Sequence, residues 1–123
     1  MVRRRSDLRS IVADFVEALK PNLNVDRVLL TGNYAGGDLE TRSDIRLVVV
    51  SRSFEGRTPT ERIELMRRDA NRIEPRLQLW GYTPGEVDGA MNRTRSIPEL
   101  SMLLNDSRQV YPFDQRAAET PGT

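Results

Sequence analysis

The sequence predicts an α/β (α+β) domain in which a small mixed β-sheet is covered by helices. Three observations predict it. Two short runs of branched apolar residues, VDRVLLT and SDIRLVVVS, flank a glycine-rich turn, and a third alternating run, RLQLWGY, follows a helical pattern. Helical periodicity recurs before, between and after these runs, so helices and strands interleave along one chain.

The elements follow in order. Leu8, Ile11, Val12, Phe15 and Leu19 fall at helical spacing behind a candidate cap at Ser6, and Pro21 stops the helix. Val25 to Thr31 is short, branched and apolar and closes on Gly32, as a buried strand does. Ser43 to Ser51 is the strongest strand signal. Its period of two sends Asp44, Arg46 and Val48 to one face and Ile45, Leu47 and Val49 to the other.

After the loop FEGRTP, Ile63, Met66, Ala70 and Ile73 form a helical stripe, with Thr58 or Thr60 as cap and Pro59 near the first turn. Arg76 to Tyr82 alternates again, with Gln78 and Trp80 on one face and Leu77 and Leu79 on the other. Thr83, Pro84 and Glu86 form a capping-box pattern that opens a short helix. Pro98 opens another, PELSMLLND, and RQVYPF reads as a brief closing strand. Met91, Met102, Leu103 and Leu104 are expected in the core, where any exposed share would serve a partner helix or a dimer, and Trp80 is expected in the core or an interface in preference to stacking on a base. Residues 1–114 are expected to form a single domain and 115–123 a flexible tail too poor in apolar residues to fold alone.

Composition narrows the chemistry. With 37% apolar and 30% charged residues among 123, and no apolar run of the roughly 20 residues a membrane helix needs, the chain is expected to be soluble. The opening MVRRRSDLRS has arginines without the apolar stretch of a secretory signal, so the cytoplasm is the expected compartment. Cysteine and histidine are both absent, which removes thiolate nucleophiles, imidazole bases and the usual zinc ligands. A net charge of +1 gives no broad positive field, which argues against a nucleic-acid partner, and the arginines at 3–5 read as a solvated start.

Gly32, Gly36 and Gly37 follow a strand, where backbone N–H groups can be aimed at a phosphate. The dinucleotide fingerprint needs glycine where Tyr34 stands. The P-loop needs a lysine and a hydroxyl where Asp38 and Leu39 stand. Neither pattern fits.

The stretch GNYAGGDLETRSDIRLVVVS resembles the signature of the polymerase β-like nucleotidyltransferases, in particular their minimal members, in which Gly-Ser, a short helical turn and Asp-x-Asp lie on adjacent strands. LQLWGYTPGEV is similar to a second motif of that family, and SRQVY to its final segment, so the resemblance covers Val25 to about Tyr111. It implies transfer of a nucleotidyl group from a nucleoside triphosphate to an acceptor hydroxyl, assisted by two magnesium ions held by three carboxylates. Carried over residue by residue, it keeps the glycine at Gly32 and places Asn33 at the serine, both as phosphate-binding candidates. Asp44 falls on the first acid as a catalytic remnant, Arg46 on the second and Gln78 on the third.

One carboxylate of three is thus expected to remain. A guanidinium about 5 Å from a divalent ion, at an effective dielectric near 20, repels it by about 7 kcal/mol before screening, too much for weakly held magnesium. Arg46 either bridges Asp44, which lies about 7 Å away along the strand and within side-chain reach, or binds a phosphate together with Gln78. The structural bridge is the expectation adopted.

The function expected is therefore a nucleotidyltransferase-fold protein without activity and without a cofactor, a binding or partner domain. Its candidate ligands are a nucleotide or phosphate, and its candidate partners a helical protein, as in the antitoxins the resemblance implies, or a second copy. An active enzyme would need magnesium held by Asp44 with substitutes such as Asp38 or Glu40. An unrelated α/β nucleic-acid-binding module is the third reading.

Overall fold

The structure, a computed structural model, describes residues 8–31 and 44–112. These form α1 (Leu8–Leu19), β1 (Val25–Thr31), β2 (Ile45–Ser51), a short 3-10 turn at Arg52–Phe54, α2 (Pro59–Ile73), β3 (Leu77–Tyr82), α3 (Pro84–Met91), α4 (Pro98–Asn105) and β4 (Ser107–Tyr111). The sheet order is β3-β2-β1-β4. β1 runs antiparallel to both β2 and β4, whereas β2 and β3 are parallel and joined by the crossover helix α2. This is the mixed α+β architecture that the periodicities predict. The candidate cap at Ser6, the glycine turn from Gly32 and the tail from Gln115 lie outside the described residues.

Alternation along the strands divides the interior into two layers. Val28, Leu30, Ile45, Leu47, Val49, Leu77 and Leu79 pack with α1 and with Met66 and Ala70 of α2. Leu29, Val48, Val50 and Tyr82 turn the other way, toward Val87 of α3 and Leu100 of α4. Helices thus cover both faces of the sheet. Among the described residues no helix is long and apolar enough to cross a membrane.

Both predicted threonine caps form. Thr58 accepts from the Glu61 N–H at 3.1 Å while the Thr58 N–H donates to Glu61, and Thr83 and Glu86 repeat this reciprocal pattern at the start of α3. Each box satisfies N–H groups that the first helical turn leaves without partners.

The predicted stripe of α2 needs a correction. Met66 and Ala70 are buried, but Ile63 and Ile73 are only half-buried, and Arg62 takes a core position one turn before Met66. Its guanidinium donates to Glu86 Oε1 at 2.7 Å, to the Gly81 carbonyl at 3.1 Å and to the Arg57 carbonyl at 3.0 Å, above the Phe54 ring at 5.8 Å. One side chain therefore ties α2 to β3 and to the first turn of α3. Gly81 follows from the same crowding, since a Cβ there would lie 2.8 Å from the Phe54 ring and 3.1 Å from Arg62 Cβ.

Met91 and Met102 also depart from expectation: they are 61% and 79% exposed, on α3 and α4, instead of in the core. These two helices have eight residues each and bury few side chains apiece, so their outer faces remain in solvent. Leu103 and Leu104 are half-buried against the second layer.

Arg62→Met should destabilise the fold by about 3 kcal/mol in urea unfolding, because it strips the partner from a largely buried ion pair and leaves two carbonyls without their donor. Burial opposes the charged form of Glu86, but the hydrogen bonds from Arg62 and Thr83 and the nearby guanidinium charge outweigh it and hold the carboxyl below its ordinary value of 4.5. A lowered folded-state pKa means that this stabilisation is present above pH 4.5 and is lost as pH falls through the folded value. Glu86→Gln should therefore be less stable near neutrality and decline more gently below pH 4.5, as read by denaturant midpoints across a pH series.

Candidate functional site

The strand register brings the sequence-singled positions together. Thr31 of β1 pairs with Arg46 of β2, Arg46 pairs with Gln78 of β3, and Ser107 of β4 lies opposite Thr31. These four residues form one row across the sheet. The next row along the same face carries Leu29, Val48 and Trp80. The residues aligned with the family's second and third acids, Arg46 and Gln78, are therefore direct cross-strand neighbours on parallel strands. Both are exposed at the mouth of β2.

The mouth is held by backbone as well as side chains. The Ile45 N–H donates to the Arg76 carbonyl at 2.9 Å, which starts the pairing of β2 with β3. Arg76 itself is clamped by Glu74, Nε to Oε2 and Nη2 to Oε1, both at 2.9 Å. Asp44 and Arg46, on either side of Ile45, inherit that fixed origin.

Arg46 Nε donates to Asp44 Oδ2 at 3.0 Å, so the bridge is formed. The side chains are 53% and 35% exposed, and pairs of that kind contribute no more than about 1 kcal/mol because water and salt screen them. Stability is thus not what the pair provides. Its consequence is electrostatic: the carboxylate aligned with the first metal-binding acid has a guanidinium on it, and the neighbour across the strands is a neutral amide. Among the described residues this donor set does not fit a divalent ion, and no group of three or more His, Cys, Asp or Glu side chains could hold one. Gly32, Asn33, Asp38 and Glu40 lie outside the described residues.

The same face opens into a cavity of about 590 Å³ between the sheet and α4, lined by Thr31, Arg46, Trp80, Glu99, Met102, Leu103 and Asp106. Trp80, expected in the core or an interface, is half-buried and forms its aromatic wall. The Tyr82 hydroxyl donates to Glu99 Oε1 at 3.0 Å, tying β3 to α4. Burial, reinforced by that bond to a carboxylate, raises the Tyr82 hydroxyl well above its ordinary pKa, so it stays a proton donor. Sequence reasoning missed Glu99 and Asp106. Neither belongs to a strand pattern or a cap, and only the packing of α4 over the sheet brings them to Arg46 and Trp80.

No protein-family model and no curated protein matches the sequence. Among solved structures the fold is similar to the crystal structure of a candidate nucleotidyltransferase from Sulfolobus solfataricus, with a TM-score of 0.52 and 24% identity over 66% of this chain and 71% of that one. The chain has a nucleotidyltransferase-like fold.

Arg46→Ala should change unfolding free energy by less than about 1 kcal/mol in denaturant titrations, separating the charge pattern of this site from the stability of the fold. A loss of several kcal/mol would mean that the pair is structural after all.

Proposed function

We propose that the protein is a metal-independent binding domain on a nucleotidyltransferase-like fold, without nucleotidyl-transfer activity. The observation that carries this reading is the 3.0 Å hydrogen bond from Arg46 to Asp44, in a row where Gln78 is the cross-strand neighbour. Two-metal chemistry needs several hard anionic oxygens converging on each ion to clamp the attacking and leaving groups. A guanidinium has no acceptor atom and keeps its charge at every accessible pH, so it cannot take a carboxylate's place. With one acid paired and two positions neutral or cationic, an incoming magnesium ion meets repulsion in place of ligands.

The fold retains what binding requires, namely a rigid sheet face, an aromatic wall and a cavity of ligand size. Exposed Met91 and Met102 on the helical layer further support a partner-binding role, a helical protein or a second copy being the candidates the resemblance implies.

Calorimetry with ATP and GTP, with and without magnesium, tests the reading. Magnesium should add nothing to nucleotide binding, and no pyrophosphate should be released. Magnesium-dependent binding or turnover would overturn the proposal. In the double variant Arg46→Asp, Gln78→Asp, three carboxylates would converge at the mouth of β2, and magnesium affinity should rise at least tenfold over the parent protein. No gain would mean that the row does not correspond to the family's metal site.

A further inference from the structure

We infer that the cavity between the sheet and α4 is a binding site for a small organic cation with a flat apolar body. This deepens the metal-free reading of the Asp44–Arg46 pair and rests on it. The charges around the cavity decide its sign. Among the described residues Arg46 is the single cation in the lining, and Asp44 engages that guanidinium. Glu99 and Asp106 line the same cavity, so among the described residues two carboxylates in the wall stand against one guanidinium that is already paired. A phosphorylated ligand entering here would meet a net negative wall without the magnesium that would otherwise screen it. A cation meets the opposite field.

The remaining lining fits the body of such a ligand. Trp80 offers the aromatic ring with the strongest attraction for a cation, and Leu103 and Met102 add apolar surface that a flat group can cover. The carboxylates come from a different element than the ring: Glu99 sits in the first turn of α4 and Asp106 just past its end. Tyr82 fixes Glu99 through Oε1 and thereby holds one carboxylate over the strand face that carries Trp80. Arg108 does not alter this balance, because it pairs with Leu30, whose side chain belongs to the opposite layer. An amidinium, guanidinium or ammonium would donate charge-assisted hydrogen bonds to Glu99 and Asp106 while its apolar body lies against Trp80.

Trp80 is the sole tryptophan of the chain, so its fluorescence reports this cavity alone. The intact protein is titrated with benzamidine, with its uncharged analogue benzamide and with the anion benzoate, at low and at physiological salt. Benzamidine should give a saturable change in Trp80 emission that weakens as salt rises. Benzamide and benzoate should bind at least tenfold more weakly. Glu99→Gln combined with Asp106→Asn should cost benzamidine about tenfold in affinity, whereas Arg46→Ala should leave it equal or tighter.

Benzoate binding as well as benzamidine, or no saturable response to benzamidine, overturns the cation site. A parallel titration with ATP and magnesium separates the two claims. Magnesium-dependent nucleotide binding would overturn the metal-free reading together with this one. Failure of benzamidine without magnesium-dependent nucleotide binding overturns this one alone.

Discussion

β2 is the constraint on which the rest of the molecule depends. It is hydrogen-bonded on both edges, to β1 and to β3, and helices cover both of its faces, so six of its seven residues are buried. A strand enclosed in this way tolerates a charged side chain only at its mouth, since a charge deeper along it would lose water without gaining a partner. The one polar side chain at its far end, Ser51, is buried with its hydroxyl donating to the Asn24 carbonyl. The mouth is where Asp44 and Arg46 stand. Any chemistry on this sheet is therefore confined to one end of one strand and to whatever its neighbours bring to the same row.

The bridge at that mouth and the ion pair of Arg62 with Glu86 show how little a shared label says about energetics. Both join an arginine to a carboxylate at hydrogen-bonding distance, 3.0 Å and 2.7 Å. Arg62 is 8% exposed, has two carbonyl partners besides its acid and spans three elements, whereas Arg46 is more than half exposed and reaches along its own strand. The first organises the fold, and the second sets the local field of a surface. The cavity beside Arg46 inherits that field, and with Glu99 and Asp106 in its wall it offers a cation more than it offers an anion.

Much of the architecture could be read from local signals. Period-two alternation placed Arg46 with Val48 and Gln78 with Trp80 on common faces, and the register of β2 with β3 makes the second of each pair meet across the strands as the first does. The threonine, proline and glutamate at the start of α3 announced their reciprocal cap, because that geometry is complete within four residues. What was not legible depends on distant parts of the chain. Arg62 lies outside the stripe that the spacing of α2 predicts, and its burial depends on Glu86 and Gly81, which come later in the chain. Met91 and Met102 read as core because composition cannot say that a helix of eight residues lacks a second surface to pack on. The resemblance singled out Arg46 and Gln78, which the register makes cross-strand neighbours, but it gave no signal for the acids of the cavity, since α4 supplies them from across the fold.

The topology of β4 bears on how the molecule is assembled. β1 is among the first elements of the described chain and β4 the last, yet they are paired neighbours, so one side of β1 waits until nearly all the intervening chain has been made. During synthesis the nascent sheet would show an unsatisfied edge along β1, of the kind that invites pairing with another chain. Asp106 precedes β4 directly, so the wall of the cavity is completed only when that edge closes. Completion of the cavity wall and closure of the sheet edge along β1 thus fall together.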